Sequence, residues 1–199
     1  MATRMLEVAN MAIGHTGAGT QISSLTEDST EARACNQFII IARNTMLKAY
    51  DWHFARRLDV PLALLKTQPT PKWGYSYLRP GDCLKLRYLG SDQEDYIETL
   101  DDEKNQVFYS NQSPLTATYT SDDLPDNYPD DVALGWSYAL GMLIIPQVSE
   151  GNIKSHYPVM KEGYGMAMGQ AIENNANTES PSIEESPAML ARGSYGIYP

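Results

Sequence analysis

The stretch that decides the fold is residues 28–64, which read DSTEARACNQFIIIARNTMLKAYDWHFARRLDVPLAL. Asp28 and Glu31 form a capping-box pattern at its start, with Asp28 as the predicted N-cap. Beyond them, apolar side chains recur at alternating spacings of about three and four residues. These side chains are Ala32, Cys35, Ile39, Ala42, Met46 and Ala49. The spacing predicts a helix of about five turns that buries one stripe.

A change of hydrophobic period follows this helix. Apolar residues alternate through residues 58–64, which is typical of a strand, and Pro61 restricts that strand to a sheet edge. The alternating residues are Leu58, Val60, Leu62 and Leu64. Polar turns then separate short runs rich in Tyr, Thr, Leu and Val: 84–88, 96–100, 106–110 and 116–120. With Asp101–Asn105 as a hairpin loop, the middle third is predicted to be a small antiparallel sheet.

Helical patterns lie on both sides of this sheet. A first helix is predicted over Thr3–Ile13, with Gly14 as its C-terminal cap. Pro129 and the two aspartates after it suit the start of another helix, which Pro146 is expected to end. Its predicted inner stripe is Val132, Trp136, Ala139, Leu140 and Leu143.

The C-terminal part of the chain divides into a helix and a tail. The last helical pattern covers about residues 150–175, and Pro158 is expected to kink or divide it. From Asn174 onward the composition is Asn, Ser, Glu and Pro, with few residues to bury. Residues 178–199 are therefore predicted to form an extended tail.

The order of these elements predicts an α+β fold. Residues 1–57 and 125–177 are expected to form a small bundle of about four helices. Residues 58–124 form an inserted antiparallel β lobe, and the tail extends from the bundle.

Composition and charge limit the function. The chain has 199 residues with 25 acidic and 15 basic side chains, a formal net charge of -10. Nucleic-acid binders concentrate Lys and Arg on one face, so this balance argues against a protein that grips phosphate. The two cysteines, Cys35 and Cys83, cannot form a disulfide framework. No secretory signal and no apolar stretch of the roughly 20 residues that span a bilayer are evident, so we expect a soluble intracellular protein without membrane contact.

Motifs typical of catalysis and of metal or nucleotide binding are absent from the sequence. The three histidines are far apart and no metal-ligand spacing or nucleophile motif occurs. Residues 14–20 resemble a phosphate loop, but a helix precedes them and no Lys is present. The acidic clusters 92–95, 101–103 and 122–123 have the character of solvent-exposed turns. We therefore predict no catalytic residue, no metal and no cofactor.

Two motifs carry a resemblance to a known family. They are Trp52–Arg57 (WHFARR) and Tyr75–Leu86 (YSYLRPGDCLKL). They resemble the tail tubular protein A group, the head-to-tail adaptors of short-tailed phages, which show W-x-F-A followed by Y-x-Y-x-x-P-x-D-C-L. Weaker matches are Asn10–Gly14, Leu134–Ile145 and the tail motif Ser186–Arg192, where Met189 and Leu190 replace a usual Trp.

The resemblance implies a structural virion protein. Roughly twelve copies would form a ring that joins the portal protein to the tail nozzle protein and lines part of the DNA ejection channel. It would assemble in the host cytoplasm and reside in the tail or neck of the virion; tail fibres are a partner that the resemblance leaves open. Independently, 13 Tyr residues suit half-wet subunit interfaces. Net negative charge lets genome DNA pass without sequence-specific binding.

Two sets of residues are assigned roles on this basis. Trp52, Phe54, Tyr75, Tyr77 and Leu84 are predicted to form the joint between bundle and sheet. Met189, Leu190 and Arg192 are placed at an intersubunit or portal contact, and Arg56, Arg57 and Arg79 in ion pairs across neighbouring subunits.

Two alternatives remain. A head-completion or neck protein of a long-tailed phage shares a helical core but usually has a smaller insertion. An acidic hydrolase, acting on cell-wall glycan with carboxylates of the β lobe, is the alternative from another class. Turnover of peptidoglycan by the purified chain would identify the hydrolase.

Overall fold

The computed structural model describes residues 2–18, 20–90, 95–124, 128–149, 151 and 153–178. Its helices are α1 (Ala2–His15), α2 (Thr30–Ala49), α3 (Asp130–Val148) and α4 (Ile153–Ala176), with a short 3-10 turn at His53–Ala55. Its strands are β1 (Arg56–Pro61), β2 (Leu64–Thr67), β3 (Tyr75–Leu78), β4 (Cys83–Leu89), β5 (Tyr96–Leu100), β6 (Gln106–Ser110) and β7 (Thr116–Ser121). The α+β fold class predicted from the sequence is confirmed, and the predicted tail lies outside the described residues except for Thr178.

Helix α3 is the centre of the helical bundle and packs against each of the other three helices. Trp136 and Leu140 on its inner stripe are buried, whereas Leu143 is 38% exposed and does not belong to that stripe. The Trp136 Nε1 donates to the backbone oxygen of Ile39 on α2 at 2.9 Å. This bond satisfies the indole N–H inside an apolar core, where an unpaired donor would be costly.

The helix ends differ from the sequence prediction in two places. Ser29, not Asp28, is the N-cap of α2, and its hydroxyl accepts from the Ala32 N–H at 3.2 Å. Asp28 instead pairs with Arg33 across the first turn. Helix α1 continues past Gly14 to His15, and Gly17 (φ 74°) takes the left-handed conformation that favours glycine.

Pro146 does not end its helix and Pro158 does not divide its helix, whereas the kink predicted as the alternative at Pro158 stays a prediction. Pro146 lies inside α3, which continues to Val148, because a proline in the last turn costs one backbone bond. Pro158 lies in the second turn of α4, which runs on over 24 residues without division. Pro158 is the sixth residue of α4, so it removes the one bond that an N–H at this position would form with the Lys154 carbonyl.

The β lobe contains two antiparallel sheets, not the single sheet predicted. One has the order β1-β7-β4 and the other the order β2-β3-β6-β5. The alternation over residues 58–64, predicted as one strand, is divided between β1 and β2, which belong to different sheets. The edge position predicted from Pro61 is confirmed for β1. The hairpin predicted at Asp101–Asn105 is also confirmed, because it joins β5 to β6.

The lobe has a core of its own between the two sheets. Tyr77 and Phe108 from the four-stranded sheet pack with Cys83, Ala117 and Tyr119 from the three-stranded sheet. This cluster is separate from the helical core, which contains Trp52, Ala55, Leu124 and Tyr128 in addition to the helices. Because the helical bundle and the β lobe have separate cores, contacts outside those cores must contribute to joining them.

Among the described residues, one helix is long and apolar enough to cross a membrane on length and composition alone. It is α3, whose most apolar window has a mean hydropathy of 1.2 and is 50% buried inside the protein. Since it packs on three other helices, we interpret it as the core helix of the bundle.

Candidate assembly surfaces

The joint between bundle and lobe is polar. Helix α2 ends with backbone carbonyls that have no partner within the helix. Arg87 of β4 donates to the carbonyl oxygens of Leu47 (3.2 Å) and Tyr50, and Lys85 donates to that of Lys48 at 2.9 Å. Two cations therefore meet the negative end of the α2 dipole, which is their favoured position.

Asp51 extends this joint. Its carboxylate pairs with Arg56 at 2.9 Å and lies 3.7 Å from the Nε of Arg87. The Arg87 Nε also donates to the Thr120 hydroxyl at 2.8 Å, and its side chain is only 12% exposed. Because these groups are shielded from water, their bonds are stronger than those of surface ion pairs.

The five residues predicted to form the joint are distributed over both cores. Trp52 is buried in the helical core, and Phe54 and Leu84 pack against that core. Tyr77 belongs to the core of the lobe, and Tyr75 packs beside it. Leu84, a β4 residue on the helical core, is the one of the five that joins the two parts directly.

The Pro-x-Asp-Cys motif fixes the turn that begins β4. The Asp82 carboxylate accepts from the Tyr119 hydroxyl at 2.9 Å and from the Ser121 hydroxyl at 2.8 Å. Burial and this bond raise the pKa of Tyr119 to about 12. The motif is thus explained by the attachment of the β3–β4 turn to β7.

The three arginines predicted to pair across subunits have partners within the chain. Arg56 pairs with Asp51, as described. Arg57 lies 3.2 Å from the Asp123 carboxylate, and Arg79 lies 3.0 Å from that of Glu98. Their role between subunits stays a prediction. Met189, Leu190 and Arg192 lie outside the described residues.

An apolar groove lies where the described chain reaches its C-terminal end. It has a volume of about 410 Å³ and runs between the residues after α2, the start of α3 and the end of α4. Its lining residues are Trp52, His53, Phe54, Pro129, Asp131, Val132, Ala171, Asn174, Asn175 and Thr178. Asn175 holds the wall in place, since its side chain accepts from the His53 N–H at 2.9 Å. Thr178, the last described residue, is part of this wall.

The four-stranded sheet has two exposed edges. On β5, Tyr96, Ile97 and Leu100 are 46%, 46% and 58% exposed. On β2, at the opposite edge, Leu64 and Leu65 are 48% and 47% exposed. Neither strand has a described strand on its outer side. Unpaired strand edges with apolar side chains are sites of association with other chains.

The described residues contain no group of three or more His, Cys, Asp or Glu side chains placed to hold a metal. In the hairpin loop, Asp101 accepts from the N–H groups of Glu103 and Asn105, and its bonds to Asn105 lower its pKa. A general acid needs the opposite shift. Burial raises the pKa of both cysteine thiols to about 11, which makes them poor nucleophiles near neutral pH.

His15 is a partly buried titratable side chain at the end of α1. It stacks on Tyr138 with 3.9 Å between ring centres, and its Nε2 lies 3.1 Å from the Ser137 hydroxyl. Burial lowers the pKa of His15 from its usual value of 6.5. The folded state therefore binds this proton less readily than the unfolded state.

The free energy of unfolding should consequently fall when the pH is lowered from about 6.5 to the lowered pKa of His15. His15 changes the free energy of unfolding by at most about 1.4 kcal/mol per pH unit in this window. We expect the free energy of unfolding of the natural chain to fall more steeply in this window than that of His15→Gln. Urea unfolding at several pH values measures both slopes, and equal slopes would refute the role of His15.

Sequence reasoning missed β3 and the polar joint. The sequence analysis predicts no strand over Tyr75–Leu78, although the aromatic alternation of these residues is typical of one. Lys85 and Arg87 are two residues apart on a strand, so they share one face, and that spacing was a usable signal. Their acceptors, the last carbonyls of α2, could not be identified from sequence spacing.

In comparisons with known proteins, no protein-family model matches the chain, and no curated protein does either.

Proposed function

We propose that the chain is a subunit of a head-to-tail adaptor ring of a short-tailed phage. In this proposal roughly twelve copies join the portal protein to the tail nozzle and surround the channel through which DNA leaves the capsid. The observation that carries it is the pattern of residues Trp52–Leu86, WHFARR followed by YSYLRPGDCLKL. Its first part runs from just after the end of α2 into the start of β1, and its second part runs from β3 into β4.

Exposed apolar side chains support an assembly role. Besides those at the two sheet edges, the helices expose Ile41 on α2 and Val159 and Met166 on α4 by more than half. Scattered exposed apolar residues are normal, but those at unpaired sheet edges suit subunit interfaces. A ring subunit needs two such surfaces, one for each neighbour.

Charge supports the passage of DNA. The net charge is -10, and the arginines at the joint and on the lobe are neutralised by carboxylates of the same chain. Affinity for the DNA backbone depends on free Lys and Arg that release counterions. A conduit with few such groups binds its cargo weakly, which allows the duplex to slide.

The experiment is the solution mass by light scattering, measured alone and after mixing with the cognate portal ring. We expect the portal complex to gain a number of copies close to the portal's own copy number. A variant with Met189–Arg192 replaced by Gly and Ser should bind less while its far-ultraviolet circular dichroism is unchanged. A mass unaffected by the portal would overturn the adaptor proposal, and normal binding by the variant would overturn the role of the tail motif.

A further inference from the structure

We propose that copies of this chain associate through the two edges of the four-stranded sheet, with β2 of one copy pairing with β5 of the next. The result is one antiparallel sheet that continues from subunit to subunit. The inference rests on the proposed ring, for which it names the interface.

The backbone groups of β5 that point outward can be assigned. The Asp101 N–H donates to the Asn105 oxygen at 3.0 Å, and the Arg79 N–H donates to the Gln106 oxygen at 3.0 Å. Inward and outward groups alternate along a strand. Thr99 and Ile97 therefore bond to β6, whereas the N–H and C=O groups of the other three β5 residues point away from the sheet. Those three are Tyr96, Glu98 and Leu100.

The alternation also holds at each end of β2, on either side of the register irregularity between Leu64 and Lys66. The Leu78 N–H donates to the Ala63 oxygen, and the Gln68 N–H donates to the Gly74 oxygen, so Ala63 and Gln68 are bonded inward to β3. Leu64 and Thr67, next to them in the chain, present their backbone groups outward. Each edge thus offers donors and acceptors to an added strand.

The directions of the two edges are compatible with a repeat of identical copies. Every neighbouring pair in the order β2-β3-β6-β5 is antiparallel, so β2 and β5 run in opposite directions. A second copy in the same orientation therefore adds its β2 antiparallel to β5 of the first. Such a contact joins two different surfaces, which is the kind of interface that produces rings or filaments.

The faces of the two edges also agree. Leu64 is the cross-strand partner of Tyr77, Tyr77 of Phe108, and Phe108 of Glu98. Since cross-strand partners lie on the same face of a sheet, Leu64 on one edge and Glu98 on the other both lie on the face that holds the lobe core. Leu100 and Tyr96 lie on that same face, two residues to either side of Glu98. Pairing would place Leu64 beside the exposed apolar side chains of β5 and bury them together.

Charge favours the head-to-tail arrangement over pairing of like edges. Residues 95–103, which contain β5, carry the carboxylates Asp95, Glu98, Asp101, Asp102 and Glu103 and no basic residue, and of these Glu98 is paired with Arg79 of the same chain. Residues 62–74, which contain β2, carry Lys66 and Lys72 and no acidic residue. Two β5 edges would repel each other, whereas a β5 edge attracts a β2 edge.

The experiment is cysteine cross-linking between neighbouring copies. A chain with both Leu64→Cys and Leu100→Cys is treated with a mild thiol oxidant, as the portal-bound complex and as concentrated portal-free protein. The natural Cys35 and Cys83 are buried, with thiol pKa values raised to about 11. We expect a ladder of covalently linked chains on a denaturing gel. The matched control Leu58→Cys with Leu100→Cys, in which Leu58 is 65% exposed on the other sheet, should give no ladder.

The outcomes separate this inference from the adaptor proposal. A portal complex of full copy number without cross-links would overturn edge pairing and leave the adaptor intact. Failure to bind the portal would overturn the adaptor, and a ladder from the portal-free protein would still support edge pairing. Equal ladders from the test chain and the control would overturn the pairing, because the link would then be non-specific.

Discussion

Trp136→Ala is expected to lower the free energy of unfolding by about 3–5 kcal/mol. Trp136 is 1% exposed at the centre of the bundle, and its ring lies 5.7 Å from that of Tyr128. Truncation removes these apolar contacts, leaves a cavity between α2 and α3, and deprives the Ile39 oxygen of its indole partner. Domains of this size are stable by about 5–15 kcal/mol, so the loss is a large fraction of the total.

Chemical denaturation followed by circular dichroism measures this loss. Leu134→Ala is the matched control, because Leu134 is on the same helix and is 37% exposed. We expect Leu134→Ala to lower the free energy of unfolding by well under half as much, since the partly exposed Leu134 buries less apolar surface and alanine favours the helix. A similar cost for both variants would show that α3 is not the core of the bundle.

Arg87→Met is expected to lower the free energy of unfolding by about 2–4 kcal/mol. The variant keeps much of the side-chain volume but removes the donors to Leu47, Tyr50 and Thr120. The carbonyls at the end of α2 then lose a charged partner in a place that water reaches poorly. The cost follows from these unpaired acceptors more than from the lost charge.

Arg57→Met is the control for this prediction. Arg57 also forms one ion pair of the lobe, but its side chain is 48% exposed and that of its partner Asp123 is 68% exposed. Exposed pairs contribute about 0–1 kcal/mol, so this variant should remain close to the natural chain. If urea unfolding gives the two variants the same midpoint and slope, the bundle and the lobe are not joined through Arg87.

Several features were determined by the sequence alone because they depend on neighbours along the chain. The stripe from Ala32 to Met46 identified α2, and Asp101–Asn105 identified the hairpin between β5 and β6. Helical and strand periods and turn composition are local signals, and they were sufficient for the α+β class. The motifs of Trp52–Leu86 are also local, and the functional proposal depends on them.

The tertiary structure alone decided how these elements combine. The alternation over residues 58–64 does not reveal that β1 and β2 enter different sheets, since the partners of these strands, β7 and β3, lie further along the chain. The sequence predicts that Pro146 ends α3 and that Pro158 kinks or divides α4, yet both helices continue past these residues, because packing against the rest of the bundle outweighs the single backbone bond that each removes. Arg87 finds its acceptors 37 and 40 residues earlier in the chain. The two sheet edges likewise depend on strand order, because which backbone groups remain unpaired is settled only when every strand has its neighbours.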